Sequence, residues 1–151
     1  MYTAGDVEVH LSAKDGRFYV LDLQRLFPAV TPKPKSKECL YLQFRPEFIA
    51  KHPKPLSSDV FSRWGEHDHQ VHNKEARDAF QQLQNETIPV FVKEFLHKLQ
   101  TLEKQEDLDA YERKDGLITD LHTHGINVRY LGRVFDLLPE VTTFISHNII
   151  I

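Results

Sequence analysis

The period of the hydrophobic positions changes along this chain, and the change predicts where strands give way to helices. Val7, Val9 and Leu11 alternate with Glu8 and His10, the two-residue period of a strand. Ala13-Lys14-Asp15-Gly16 supplies turn chemistry, with Gly16 free to take a positive φ. Phe18-Tyr19-Val20-Leu21 follows, rich in β-formers and apolar at successive positions. Together these segments predict a β-hairpin whose second strand is covered on both faces. Leu40 to Phe44 is a candidate third short strand.

Beyond that point the period lengthens. Arg45-Pro46-Glu47-Phe48-Ile49 predicts a short helix with proline in its first turn, ended by Pro53 and Pro55. Ser57 or Ser58 can cap a short helix through Val60, Phe61 and Trp64, with Gly65 as its stop. Residues 68–86 predict a helix with a narrow buried stripe at Val71, Ala76, Phe80 and Leu83. Thr87 can cap a new helix with Pro89 in its first turn, and Ile88, Phe91, Val92, Phe95, Leu99 and Leu102 line one face of it. Glu103 to Glu106 reads as a charged bend or a helix extension. Leu108, Tyr111, Leu117, Ile118 and Leu121 carry a further helical pattern, which Gly125 ends. Asn127 can cap a last helix through Leu131, Val134, Phe135 and Leu138, closed by Pro139. The order predicts an α+β fold: an N-terminal β-hairpin, extended at most to three short strands, followed by a mainly helical bundle. It occupies residues 1–151 as a single domain or domain fragment.

Composition narrows the class. The chain has 151 residues, 40% hydrophobic and 27% charged, values that suit a packed core rather than disorder. A net charge of -3 supplies no global drive toward nucleic acid or anionic membrane. No stretch reaches the roughly 18 apolar residues of a membrane span, and the N-terminus lacks a secretory pattern. These features predict a cytoplasmic protein without membrane insertion. The single cysteine, Cys39, sits in an apolar run and reads as a small core residue. The apolar end, Ile149-Ile150-Ile151, predicts docking within a larger chain or an oligomer.

Candidate chemistry was weighed against structural roles for the same side chains. His67-x-His69-x-x-His72, with Asp68, is a local cluster that could hold zinc, but it lacks an i,i+4 histidine pair. His122-x-His124 lies at an expected helix end, where a positive charge is favoured and where a partner could also be met. Asp22 follows the apolar second strand. A magnesium-holding role there would need a His-x-Asp-x-x-x-x-Asn loop before it, and none precedes it. The alternative for Asp22 is capping, or an ion pair with Arg25 or Arg129. Arg17, Arg25, Arg45, Arg129 and Arg133 flank the apolar segments and suit either a junction of the fold or a phosphate-bearing partner. Lys33, Lys35 and Lys37 form a small basic run on a proline-rich loop. No Gly-x-Ser-x-Gly elbow and no glycine-rich phosphate loop occurs, so the expectation is no enzyme and no cofactor.

Three blocks carry a resemblance. Asp15 to Pro28 reads DGRFYVLDLQRLFP; Phe44 to Phe48 is followed by Pro55-Leu56-Ser57-Ser58-Asp59-Val60-Phe61; Asp120 to Gly132 reads DLHTHGINVRYLG. In order and spacing they resemble the central domain of the clustered-mitochondria (CLU) protein family over most of residues 6–138. The resemblance implies a non-catalytic cytosolic scaffold linked to mitochondrial distribution. It also implies association with messenger RNA and the translation machinery, through protein partners, mRNA or ribosome-associated factors. The residues expected at a binding surface are Arg17, Asp22, Arg25, His122, His124, Asn127, Arg129 and Tyr130. The matched Asp22, Arg25, Asn127, Arg129 and Tyr130 look like locks of the fold. The competing reading is a divergent phosphotransferase-like or metal-binding enzyme using Asp22 with His122, His124 and Asn127.

Overall fold

A computed structural model of the chain describes residues 4–33, 36–64, 68–102 and 105–139. Lys35, Gly65, His67, Glu103 and the apolar tail from Val141 to Ile151 lie outside the described residues, as does the side chain of Leu108. The fold is α+β, with an N-terminal antiparallel hairpin followed by mainly helical structure. Two compact units divide the chain, Met1–Phe80 and Gln81–Ile151.

In the first unit, β1 (Glu8–Leu11) pairs with β2 (Phe18–Leu21), placing Val9 opposite Val20 and Leu11 opposite Phe18. The connecting loop closes where the Ser12 N–H donates to the Arg17 carbonyl, and Gly16 there takes φ 67°. Contrary to expectation, neither face of the hairpin is covered: every residue of both strands is exposed. The alternation therefore forms strands through local pairing and turn chemistry, without the burial that normally accompanies so apolar a sequence. The expected third strand is reduced to one antiparallel bridge between Ala29 and Gln43, because Glu38–Leu40 tightens into a 3-10 turn.

Helix α1 (Pro46–Lys51) begins with proline at its first position and buries Phe48, which stacks on Phe44 with ring centroids 5.0 Å apart. Residues 57–64 form turns rather than the expected helix. Long-range partners recruit their polar groups: the Ser58 hydroxyl donates to the Leu26 carbonyl, and the Phe61 N–H donates to the Asn73 side chain at 2.6 Å. Phe61 takes φ 58°, a conformation incompatible with a continuing right-handed helix. Val60 nevertheless reaches the core, packed with Ala29 and with Ala76 of α2 (His69–Gln82). Cys39 packs against this cluster, in line with its sequence reading.

One buried cation organises the unit. Arg25, 3% exposed, donates from Nε to Asp6 Oδ2 at 2.9 Å, and its Nη2 lies 2.6 Å from Asp6 Oδ1 and 3.2 Å from Asp59 Oδ1. Asp59 in turn accepts the Gly5 N–H. The expected pairing of Arg25 with Asp22 is thus replaced by Asp6 and Asp59. Asp22 instead occupies a left-handed turn at φ 55° directly after β2.

In the second unit, a five-residue π-helical turn, Leu83–Thr87, leads into α3 (Ile88–Thr101). Thr87 has helical backbone angles and no side-chain capping bond, so it does not start a separate helix as expected. A widened turn is one way for a helix to pass Pro89, which has no N–H to donate. Ile88, Phe91, Val92 and Phe95 are buried, the face that the apolar spacing predicts. Two further helices, α4 (Gln105–Arg113) and α5 (Gly116–Thr123), stand where a single helical pattern was expected. They part at Asp115, whose φ of 50° breaks the right-handed path. A final helix, α6 (Leu131–Asp136), follows a 3-10 turn at Val128–Tyr130. Among the described residues no helix is long and apolar enough to cross a membrane.

The Arg25 cluster makes a quantitative prediction. Arg25→Leu should destabilise the chain by roughly 2–3 kcal/mol, below the 3–5 kcal/mol typical of a fully buried pair because both carboxylates still reach water. The hydrogen bond from Arg25 holds the Asp6 carboxyl below its ordinary value of 3.8, against the opposing effect of burial. Stability from this contact is therefore present above about pH 4 and lost as pH falls through the lowered value. Urea denaturation followed by the fluorescence of Trp64, the only tryptophan, should show the midpoint falling in acid for the wild type and a weaker acid dependence for the variant.

Candidate functional site

The second unit assembles a corner and a cleft from residues close to the C-terminal end of α5. The α5 helix ends in a Schellman arrangement: the Gly125 N–H donates to the His122 carbonyl and the Ile126 N–H to the Leu121 carbonyl, each at 2.8 Å. Gly125 takes φ 76°, and the flanking Leu121 and Ile126 are both fully buried. Asn127 then caps the next turn, its side-chain oxygen accepting the Arg129 N–H at 3.0 Å. Gly125 and Asn127 thus hold the places that their residue types predict.

Asp120, one helical turn before the corner, collects two donors on one oxygen. Lys98 Nζ lies 2.5 Å and the Tyr111 hydroxyl 2.7 Å from Oδ2. Lys98 also stands over the Tyr111 ring, 4.6 Å from its centre. Burial and the hydrogen bond to Asp120 push the Tyr111 phenol far above its ordinary value of 10.0. His124 lies on the same side. Its Nδ1 is 2.7 Å from the Asp120 carbonyl oxygen, its Nε2 is 2.8 Å from Glu94 Oε2, and its ring meets Phe91 edge-on. Both oxygens are acceptors, so both contacts are donations only when the ring carries two protons. Phe91, Glu94, Phe95, Lys98, Asp120 and His124 line a cleft of about 160 Å³.

Asp120 Oδ2 thus links α3 and α4 to α5, and His124 makes a second link from the end of α5 to Glu94 on α3. Among the described residues, no group of three or more histidine, cysteine or acidic side chains is placed to hold a metal. In the polar cluster considered for zinc, His72 pairs with Glu75 at 3.3 Å and His69 opens α2.

The expected binding residues fall into both units. Arg17, Asp22 and Arg25 belong to the first, and His122, His124, Asn127, Arg129 and Tyr130 to the second. Arg17 is exposed at the end of the hairpin loop, while Arg25 is buried. At the corner, the Arg129 guanidinium stands 5.2 Å from the centre of the Tyr130 ring, and His122 is half-buried. Sequence reasoning missed Glu94, Lys98, Tyr111 and Asp120 as a connected set. The signal was present in two i,i+4 pairs, Glu94–Lys98 on α3 and Asp120–His124 on α5, whose facing directions bring them together.

Comparison with known proteins adds one finding. Residues 113–150, about a quarter of the chain, match the family model of translation initiation factor eIF3 subunit 135. The matched stretch contains the block Asp120 to Gly132 and runs past Leu138, where the sequence resemblance ended. The other two blocks lie outside it. Neither the curated proteins nor the solved structures gave a match to the chain.

Substitutions at Asp22 and Gly116 and one titration test the local readings. Asp22→Gly should change stability by no more than about 0.5 kcal/mol, because glycine accepts positive φ, whereas Asp22→Val should cost about 1–2 kcal/mol. Gly116→Ala would bring a Cβ within 2.3 Å of the Tyr111 ring and 2.7 Å of its backbone oxygen. That overlap should cost about 1–3 kcal/mol and displace Tyr111 from Asp120. The neutral Tyr111 phenol stabilises the fold up to about pH 10, and that contribution is lost as pH rises through its elevated value. An alkaline absorbance titration should therefore show a tyrosine that ionises late, with this lagging component missing in Tyr111→Phe.

Proposed function

We propose that the chain is a non-catalytic interaction module of the translation apparatus, acting in the cytoplasm through protein partners. The observation that carries this reading is the match of residues 113–150 to the family of translation initiation factor eIF3 subunit 135. That family's name supplies the context of initiation. The geometry of the matched stretch supports a binding role, because Gly125, Asn127 and His124 are spent on holding the corner. Val128, Arg129, Gly132 and Arg133 face outward there. Gly132 meets no atom within 4 Å of where a Cβ would stand, which leaves a low, open patch between the arginines. A patch of this kind suits an acidic protein surface. The clustered-mitochondria resemblance extends the proposal to mitochondrial distribution. Imaging after depletion of the chain tests that extension, and an unchanged organelle pattern would remove it.

The main reading is tested by sedimenting the full chain in cell extract. Wild type should travel with initiation complexes, and Gly132→Glu/Arg133→Glu should shift it to the top of the gradient without loss of helicity. Nuclease treatment separates the partner classes: association through protein survives it, whereas association through RNA is lost and falls steeply with salt. A wild-type chain that remains at the top under all conditions would refute the proposal.

A further inference from the structure

The first unit contains an open cleft of about 520 Å³, formed by residues 26–28, α1 and residues 52–58. Leu26, Phe27, Ile49 and Leu56 supply half-buried apolar side chains to its wall. Pro28, Pro46 and Pro55 also line it, and proline has no N–H to donate. The volume is that of a small-molecule pocket, for which the usual range is about 300–1,000 Å³.

Much of the wall's backbone is already bonded. The Leu26 carbonyl accepts the Ser58 hydroxyl, the Phe27 N–H donates to the Gln43 side chain, and the Pro28 carbonyl accepts the Phe44 N–H. An extended peptide would find little free backbone to pair with there, and a nucleobase would leave polar atoms without partners. The ionisable side chains of the lining are both basic. Lys54 and His52 line the cleft, and among the described residues no acidic side chain does. The acidic residues closest in sequence are engaged by arginines: Glu47 by Arg45 at 2.9 Å and 2.8 Å, and Asp59 by Arg25. His52 is held in place, with Nδ1 2.7 Å from the Lys54 carbonyl oxygen and its ring against Phe48, 5.9 Å between centres.

We propose that this cleft binds a free apolar monocarboxylate, a fatty acid of medium chain length, with its chain along Leu26, Phe27, Ile49 and Leu56 and its carboxylate at Lys54 and His52. A methylene chain asks for no hydrogen bond, which suits a wall of apolar side chains, prolines and bonded backbone. The one charged group of the ligand meets the basic rim. A cationic amphiphile would meet like charge there, and a neutral one would leave the rim unused. The cleft lies within residues 26–58, apart from the stretch matched at residues 113–150, and the proposal does not rest on the translation reading.

Titration calorimetry of the full chain with dodecanoate, kept below its micelle-forming concentration, tests the proposal. Wild type should bind one equivalent saturably. Dodecanol, with the same chain and no charge, should bind about fivefold more weakly. Shortening the acid should weaken binding by about two- to fourfold per methylene removed. Ala50→Phe, at an exposed position on the wall, should abolish binding by filling the space. Lys54→Glu should weaken dodecanoate by about five- to tenfold and leave dodecanol unchanged. Circular dichroism should show the helicity of both variants unchanged, since both side chains are exposed. Absence of saturable dodecanoate binding would overturn the proposal. So would equal affinity for dodecanol, binding that survives Ala50→Phe, or a dodecanoate affinity insensitive to Lys54→Glu. Tighter binding of an acetylated Leu-Phe-Leu-Glu peptide would give the cleft to a protein partner, and binding only to phosphatidylcholine vesicles loaded with dodecanoate would give it to a membrane; either result would overturn the assignment to a free acid.

Discussion

The first unit depends on one guanidinium. Asp6 precedes β1 and Arg25 follows β2, so their ion pair closes the base of the hairpin. Asp59 joins the same cation from the turn after α1 and holds the Gly5 N–H, which ties the hairpin base to the core around Val60. A buried arginine is tolerable only when its charge is matched, and two carboxylates meet that condition here. The consequence reaches outward. Because the base is anchored by charge, the strands can extend from the core with their apolar side chains uncovered, and the display does not depend on hydrophobic contact beneath the sheet.

The second unit uses the same device with the signs reversed. Asp120 is the anion, and Lys98 from α3 and Tyr111 from α4 supply the donors. His124 adds a link from α5 to Glu94 on α3. Gly116 makes the arrangement sterically possible, since any side chain there would occupy the space of the Tyr111 ring. The stacked pair of Phe91 and Phe95 forms the apolar floor of the cleft. Burying a side chain such as Phe91 is worth about 2–3 kcal/mol on its own, and the polar links above it fix which helices meet.

Legibility from sequence followed the range of the interactions. The hairpin, the amphipathic face of α3, the Gly125 stop and the Asn127 cap are decided within a few residues, and local pattern was enough to find them. The turns at residues 57–64 were misread because the partners that prevent a helix, Asn73 and Leu26, are distant in sequence. The break at Asp115 was missed because aspartate reaches the left-handed region without the glycine that usually announces it. The Arg25 partners were misassigned to nearby Asp22 for the same reason: charge attracts by distance in space, and Asp6 and Asp59 were not visibly close. Burial of the hairpin was inferred from hydrophobicity alone, which reports what a surface needs and not whether this chain supplies it.

That last distinction bears on function. In both units some of the polar side chains that first suggested chemistry hold the fold. Arg25 pairs with Asp6 and Asp59, Asn127 caps a turn, and His124 spans two acceptors. At the corner, Val128, Arg129, Gly132 and Arg133 are exposed beside these links, so the side chains that set the turn differ from those that meet solvent.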